Sequence, residues 1–201
     1  MMRPTAYFMP LCLCLPLLLC GACAGPSGAA AAQAPQAPQT YRENVALTGQ
    51  IAVHYQQNGE QQHMSGNYNW LQQDSKTSVT LSSPLGQTVA QIEVTPQAAT
   101  LTQAGQAPRS APNVDRLTTE VLGWPLPVSG LRHWLQGRAT GADGQPFVAS
   151  PQHDSVYTAD GWHLRYVWGD QHAAFKRIEL ERSVPAQAAD VSLRITVAEA
   201  H

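Results

Sequence analysis

Charge is scarce in this chain: only 13% of its residues are Asp, Glu, Lys or Arg, against about 25% in an ordinary soluble domain. With 12 basic and 14 acidic residues and a net charge of -2, it lacks the basic footprint that neutralising phosphates requires. No nucleic-acid partner is expected. Cysteine is absent beyond Cys23, because Cys12, Cys14, Cys20 and Cys23 all fall at the amino terminus. Everything after them can form neither an intrachain disulfide nor a thiolate metal site. The signatures of catalysis are also missing: no Gly-x-Ser-x-Gly elbow, no His-Glu-x-x-His pair and no glycine-rich phosphate loop. Histidines 54, 63, 133, 153, 163, 172 and 201 show no metal-ligand spacing, and His153-Asp154 lies near Pro151 in a turn-like stretch. An enzyme is therefore not expected. Nor is there a long apolar run, since the stretch from Ala6 to Leu19 is broken by Pro10 and Pro16. It falls short of the roughly 20 apolar residues that span a bilayer as a helix.

What is present is a hydrophobic share of 43% over 201 residues, enough for one domain with a sizeable core. Neutral polar residues, chiefly Gln, replace the missing charge and suit solvent-facing strand positions. The start, Met1-Met2-Arg3, then an apolar stretch, then Gly21-Ala22, reads as a secretory signal over residues 1–22. Leu19-Cys20-Gly21-Ala22-Cys23 resembles the bacterial lipoprotein signal, in which small residues precede a Cys that is lipidated and becomes the mature amino terminus. Cys23 is that residue. Cys20 stands where the pattern usually has Leu, and cleavage before Cys20 would place bulky Leu19 at the cut. The resemblance implies a diacylglycerol and an N-acyl group on Cys23, and several chains on one residue make a stable anchor. Ala24 in place of Asp lacks the inner-membrane retention signal of such proteins, which implies the outer membrane. Residues 23–40 are then a tether of Ala, Gly, Pro and Gln, too polar and too proline-rich to pack, and the folded domain covers 41–201.

Within that domain the period is two. Val45, Leu47, Gly49, Ile51, Val53 and Tyr55 share one face of a strand, Asn58-Gly59 marks a hairpin turn, and Met64, Gly66, Tyr68 and Trp70 share a face of the next. Alternation continues through 77–81, 87–95 and 99–103. It returns at Trp162, Leu164, Tyr166 and Trp168, at Ile178 and Leu180, and at Val191, Leu193, Ile195 and Val197. Between these halves the spacing changes: Val114, Leu117, Val121 and Leu122 predict a helix ending at Gly123, and Leu131, Trp134 and Leu135 a second ending at Gly137. Trp124-Pro125-Leu126-Pro127 forbids a continuous helix. The expected fold is mainly β (α+β): a curved antiparallel sheet of nine to eleven strands as a half-open barrel, with short helices as a lid. Beneath the lid lies either a packed core or a cavity for an apolar ligand.

Three segments carry a family resemblance. They are Leu47-Thr48-Gly49-Gln50-Ile51-Ala52-Val53 followed by Gly66-Asn67-Tyr68-Asn69-Trp70; Leu81-Ser82-Ser83-Pro84-Leu85-Gly86-Gln87-Thr88; and Leu122-Gly123-Trp124-Pro125-Leu126-Pro127-Val128 running into Gly130-Leu131-Arg132-His133-Trp134-Leu135-Gln136-Gly137. In this order, behind a lipoprotein signal, they resemble the LolB outer-membrane lipoprotein receptors, which share a fold with the LolA periplasmic carriers. The resemblance implies a lipid-anchored protein of the outer membrane that faces the periplasm of a Gram-negative bacterium. It would accept lipoproteins from a LolA-like carrier and insert them into the inner leaflet, as a monomer and without a cofactor. It implies an acyl cavity lined by Ile51, Val53, Tyr55, Tyr68, Trp70, Val79, Leu81, Leu122, Trp124, Leu131, Trp134, Leu135 and Trp168. It also implies a membrane-insertion loop at Pro84, Leu85 and Gly86, with Leu85 at the tip. The other functional reading is a lipoprotein that binds a lipid or another ligand without passing it on. Arg132 is expected to meet a head group or the carrier, or to be a plain surface charge. Only Tyr41 to Asn44 separate the tether from the first strand, where family members often carry a longer helix.

Overall fold

The computed structural model describes residues 40–169, 174–182 and 190–199; the signal, Cys23 and the tether lie outside them. The described residues belong to one compact unit within Gln36–His201. Strand β1 (Val45–Gln57) and strand β2 (Glu60–Gln73) pair over their whole length, from Val45 opposite Gln72 to Gln57 opposite Glu60. The turn between them has both Asn58 (φ 54°) and Gly59 (φ 80°) in the left-handed region. That conformation matches the twist of the flanking strands and is why Asn-Gly is favoured there. The meander continues through β3 (Lys76–Ser82), β4 (Thr88–Val94), β5 (Ala99–Gln103) and β6 (Arg109–Ala111).

Helices α1 (Val114–Leu122) and α2 (Val128–Trp134) come next, then a small separate hairpin of β7 (Arg138–Thr140) and β8 (Pro146–Val148). The chain returns to the large sheet with β9 (Ser155–Tyr157), β10 (His163–Trp168), β11 (Phe175–Arg182), β12 (Val191–Thr196) and β13 (Ala198–Glu199). The resulting 11-stranded sheet runs β6-β5-β4-β3-β2-β1-β12-β11-β10-β9, with β13 also on β1. Pairing of β1 with β12, Ile51 opposite Ile195 and Val53 opposite Leu193, joins the two halves. The end strands β6 and β9 do not pair, so the sheet is not closed into a barrel.

Burial follows the alternation. Val45, Leu47, Ile51 and Val53 from β1, Tyr68 and Trp70 from β2, Val79 and Leu81 from β3, Leu164 and Tyr166 from β10, and Ile178 and Leu180 from β11 are buried in one core. The lid contributes Leu117, Trp124, Leu126, Leu131, Trp134 and Leu135 to the same core. Two sequence expectations change. The helix expected to run to Gly137 stops at Trp134, with Leu135 as its cap and Gly137 (φ 71°) in the following turn. Val197 does not continue β12, which ends at Thr196 before β13 begins. In keeping with the short Tyr41–Asn44 lead-in, among the described residues nothing helical precedes β1.

Candidate functional site

The lid is built from caps and proline breaks. Asn113, extended at φ -109°, accepts from Arg116 N at 2.8 Å and so satisfies one of the donors exposed at the start of α1. At the other end Gly123 takes φ 82° and donates to Thr119 O, a left-handed cap that glycine adopts without strain. The Trp124–Pro127 link then turns the chain, and the two helices are clasped together. Asp115 accepts from both the backbone N (3.0 Å) and the hydroxyl of Ser129. The buried Thr118 hydroxyl lies 2.9 Å from both Asp115 O and Leu126 O. Because these contacts link α1, the Pro-rich segment and α2, the lid has the connections of a single unit.

Under α2 the sheet presents Ile51, Tyr68, Trp70, Val79, Leu81 and Ile195, and the lid answers with Leu126, Leu131 and Leu135. The cavity they enclose measures only about 10 Å³, room for about one water molecule. Its wall is apolar, and the buried Tyr68 hydroxyl is turned away to donate to Thr196 O at 2.9 Å. Burial pushes the Tyr68 hydroxyl and that of Tyr166 well above the usual phenol range, so both stay neutral donors. Of the residues expected to line a cavity, Ile51, Tyr68, Trp70, Val79, Leu81, Leu131 and Leu135 stand around this void. Val53, Trp124 and Trp134 are buried in the same core but away from it, Tyr55 and Leu122 are half-buried at its edge, and Trp168 is half-buried against Phe175, ring centroids 6.0 Å apart. Leu126 and Ile195 are additions. Ile195 was visible in the alternation of β12, whereas Leu126 sits between prolines, where periodicity says nothing.

The Pro84–Gly86 loop joins β3 to β4. Gly86 N donates to Ser83 O at 2.9 Å, Ser83 N to Gln87 O at 2.8 Å, and Gly86 sits at φ 83°. Ser, Pro and Gly at the first, second and fourth places are the residues such a turn selects. Leu85 at the third place is 89% exposed, and Val89 beyond it is also exposed. The loop has a fixed base: a Cβ on Gly66 would meet the Ser82 carbonyl oxygen at 2.2 Å, so only glycine lets β3 approach β2 there. The sequence signal for this was a glycine in a strand interior.

Arg132 is not a free surface charge. Its side chain is 20% exposed. It donates to Thr77 Oγ1 at 2.9 Å, to Asp74 O and Lys76 O, and lies 3.4 Å from Glu43 Oε2. Glu43, Asp74 and Thr77 border an open cleft of about 660 Å³ at the lid's edge, whose apolar side is Val94, Pro96, Val114 and Val128. On the outer face of the sheet, Arg165, Arg177 and Arg194 surround Glu179. Among the described residues no group of His, Cys, Asp and Glu could hold a metal ion, and no helix is long and apolar enough to cross a membrane. His153 lies in a turn, where its N donates to Ser150 O.

The family model described as "Outer membrane lipoprotein LolB" matches residues 43–199. The chain belongs to the LolB family. Among its relatives is an outer-membrane lipoprotein LolB of Cupriavidus necator, 39% identical over 189 residues that cover 92% of each chain. Another from Cupriavidus taiwanensis is 37% identical over 198 residues, 92% of this chain and 93% of that one. A LolA superfamily protein of Nitrosomonas europaea superposes with a TM-score of 0.41 at 11% identity, covering 78% of this chain and 87% of that one. A DUF1329 family protein of Desulfovibrio piger gives 0.45 at 8% identity, covering 78% and 86%. The match spans every element around the void: the first hairpin, β3, the lid and β12.

Proposed function

We propose that this LolB-family chain is an outer-membrane lipoprotein receptor. It takes lipoproteins from a LolA-type periplasmic carrier, holds their acyl chains between α2 and the inner sheet face, and releases them into the inner leaflet of the outer membrane. No covalent chemistry is involved. The observation that carries this reading is an apolar lid, built as one unit, lying on an apolar sheet face with almost no space between them. A cavity of about 10 Å³ cannot hold an acyl chain, so uptake requires Leu126, Leu131 and Leu135 to part from Ile51, Trp70 and Leu81. Parting exposes apolar area at a cost of about 25 cal/mol per Å², and the incoming chain covers that area again, its own burial of about 0.8 kcal/mol per methylene being matched in the carrier it leaves and the bilayer it enters. The two terms largely cancel. Cargo is therefore held without a deep free-energy trap, which is what a protein that must both accept and release requires.

The exposed Leu85 supports the release half. A side chain on a rigid turn at the end of β3, away from the core, suits contact with a bilayer. The proposed anchor on Cys23 keeps that contact local, and the 23–40 segment supplies reach. Acyl groups on Cys23 and a monomeric state belong to this proposal, as do the domain limits 1–22, 23–40 and 41–201. The test is a photoactivatable palmitoyl lipoprotein delivered from its carrier. Cross-linking is expected at the β2–β3 face and at α2, within a few residues of Trp70, Leu81 and Leu135. Labels confined to the outer sheet face would refute the cavity.

A further inference from the structure

The residues that enter the domain, Tyr41, Arg42 and Glu43, lie across the lid rather than beside it. Arg42 and Gln136 hold each other reciprocally: Arg42 N donates to Gln136 Oε1 at 2.9 Å, and Gln136 Nε2 donates to Arg42 O at 3.0 Å. Tyr41 stacks on His133 of α2, ring centroids 5.0 Å apart and planes 23° from parallel. Glu43 faces Arg132 of α2 at 3.4 Å. The other side of the segment is fixed to the sheet. Gln72, fully buried on β2, donates to Tyr41 Oη at 2.9 Å and Arg42 O at 3.2 Å, and Arg42 reaches Glu199 of β13 at 2.6 Å. A segment bonded to the sheet on one side and to α2 and its following turn on the other is a strap. Arg132 adds a second attachment from α2 to the sheet, through Asp74 O, Lys76 O and Thr77 Oγ1.

We propose that Tyr41–Glu43 and Arg132 form a clasp that sets how readily α2 lifts, and hence how fast acyl chains are taken up and released. The inference rests on the acyl-cavity reading above and goes beyond it, by assigning control of access to residues that do not touch the cavity. Geometry supports the assignment. The void lies under α2, its lid-side wall is Leu126, Leu131 and Leu135, and Arg132, His133 and Gln136 are interleaved with that wall on the opposite side of the same turns. Lifting α2 far enough to admit a chain breaks the Arg42–Gln136 pair and the Arg132 contacts together. None of these bonds reaches α1, which is tied to α2 through Asp115 and Ser129 and follows it.

The test uses the full chain in detergent or in liposomes. In Arg132→Gln, which removes bonds from a charged group, and in Gln136→Ala, which removes two neutral bonds to the Arg42 backbone, amide exchange of α2 is expected to rise about tenfold while that of β1 and β2 stays unchanged. The association rate of a fluorescent C16 fatty acid should rise in parallel. In an Arg42→Cys/Gln136→Cys protein, a short thiol-reversible cross-linker should abolish uptake of the probe, and reduction should restore it. Unchanged α2 exchange in both single variants overturns the clasp, as does a cross-linked protein that loads at the uncross-linked rate. Faster α2 exchange with no probe binding by any form refutes the acyl-cavity reading, and with it the control of uptake. Near-UV circular dichroism of each variant separates a loosened lid from a lost fold.

Discussion

Replacing Leu85 by Glu separates the two halves of the proposed activity. The side chain is 89% exposed and its loop is held by backbone bonds among Ser83, Gly86 and Gln87. Nothing in the folded domain depends on it, and its stability should change by no more than about 0.5 kcal/mol. At a bilayer the balance differs. Taking an almost fully exposed Leu into hydrocarbon is worth about 1.5–3 kcal/mol, which is roughly ten- to 150-fold in the occupancy of the contact. Glutamate loses that and adds the cost of desolvating a carboxylate. Release of a fluorescent lipoprotein from the preloaded protein into liposomes should therefore slow by at least about tenfold, with acceptance from the carrier unchanged. Leu85→Ala should fall between. Release at the parental rate would refute a membrane role for the loop, and loss of acceptance would show that the loop belongs to the carrier interface instead.

Gly66→Ala places a methyl group against the Ser82 carbonyl; urea unfolding should show a loss of about 1–3 kcal/mol, and an unchanged midpoint would mean β3 can shift freely. Leu131→Ala removes a buried lid side chain and should cost about 2–5 kcal/mol, seen as a lower thermal midpoint. Burial pushes the Glu179 carboxyl up, but the guanidiniums of Arg165 and Arg177 outweigh it and hold the carboxyl below its ordinary value. Its stabilisation is thus present above the ordinary carboxylate pKa and is lost as pH falls through the lowered folded value. Glu179→Gln should accordingly be less stable than the parent at pH 7, and the difference should vanish in acid; a difference that persists at pH 2 would contradict the ion network.

Much of the fold was legible because long strands repeat their signal. β1 shows six same-face positions and β2 four, Asn58-Gly59 fixes their register, and Gly123 ends α1 where the periodicity stops. β7 and β8 were not legible, since three residues such as Arg138-Ala139-Thr140 cannot display a period. Gln72 occupies the buried parity of β2, yet a polar side chain there reads as an exception. Only its bonds to Tyr41 and Arg42 explain it. The candidate lining was partly legible. Alternation marks which residues face inward, but it carries no distance along the sheet, so Val53 and Trp168 could not be told from Ile51 and Trp70. Arg132 read as a head-group or carrier contact or as a surface charge because its partners Glu43, Asp74 and Thr77 are remote in sequence and come near only after the lid folds over the β2–β3 turn.

The most direct experiment offers the protein, held on liposomes, a carrier loaded with one fluorescent triacylated lipoprotein, and follows the label by flotation. Passage of the label from carrier to bilayer, with a transient fraction on the protein, is the expected result. A label that stays on a competent carrier, or that reaches the bilayer equally well without the protein, would contradict the receptor function.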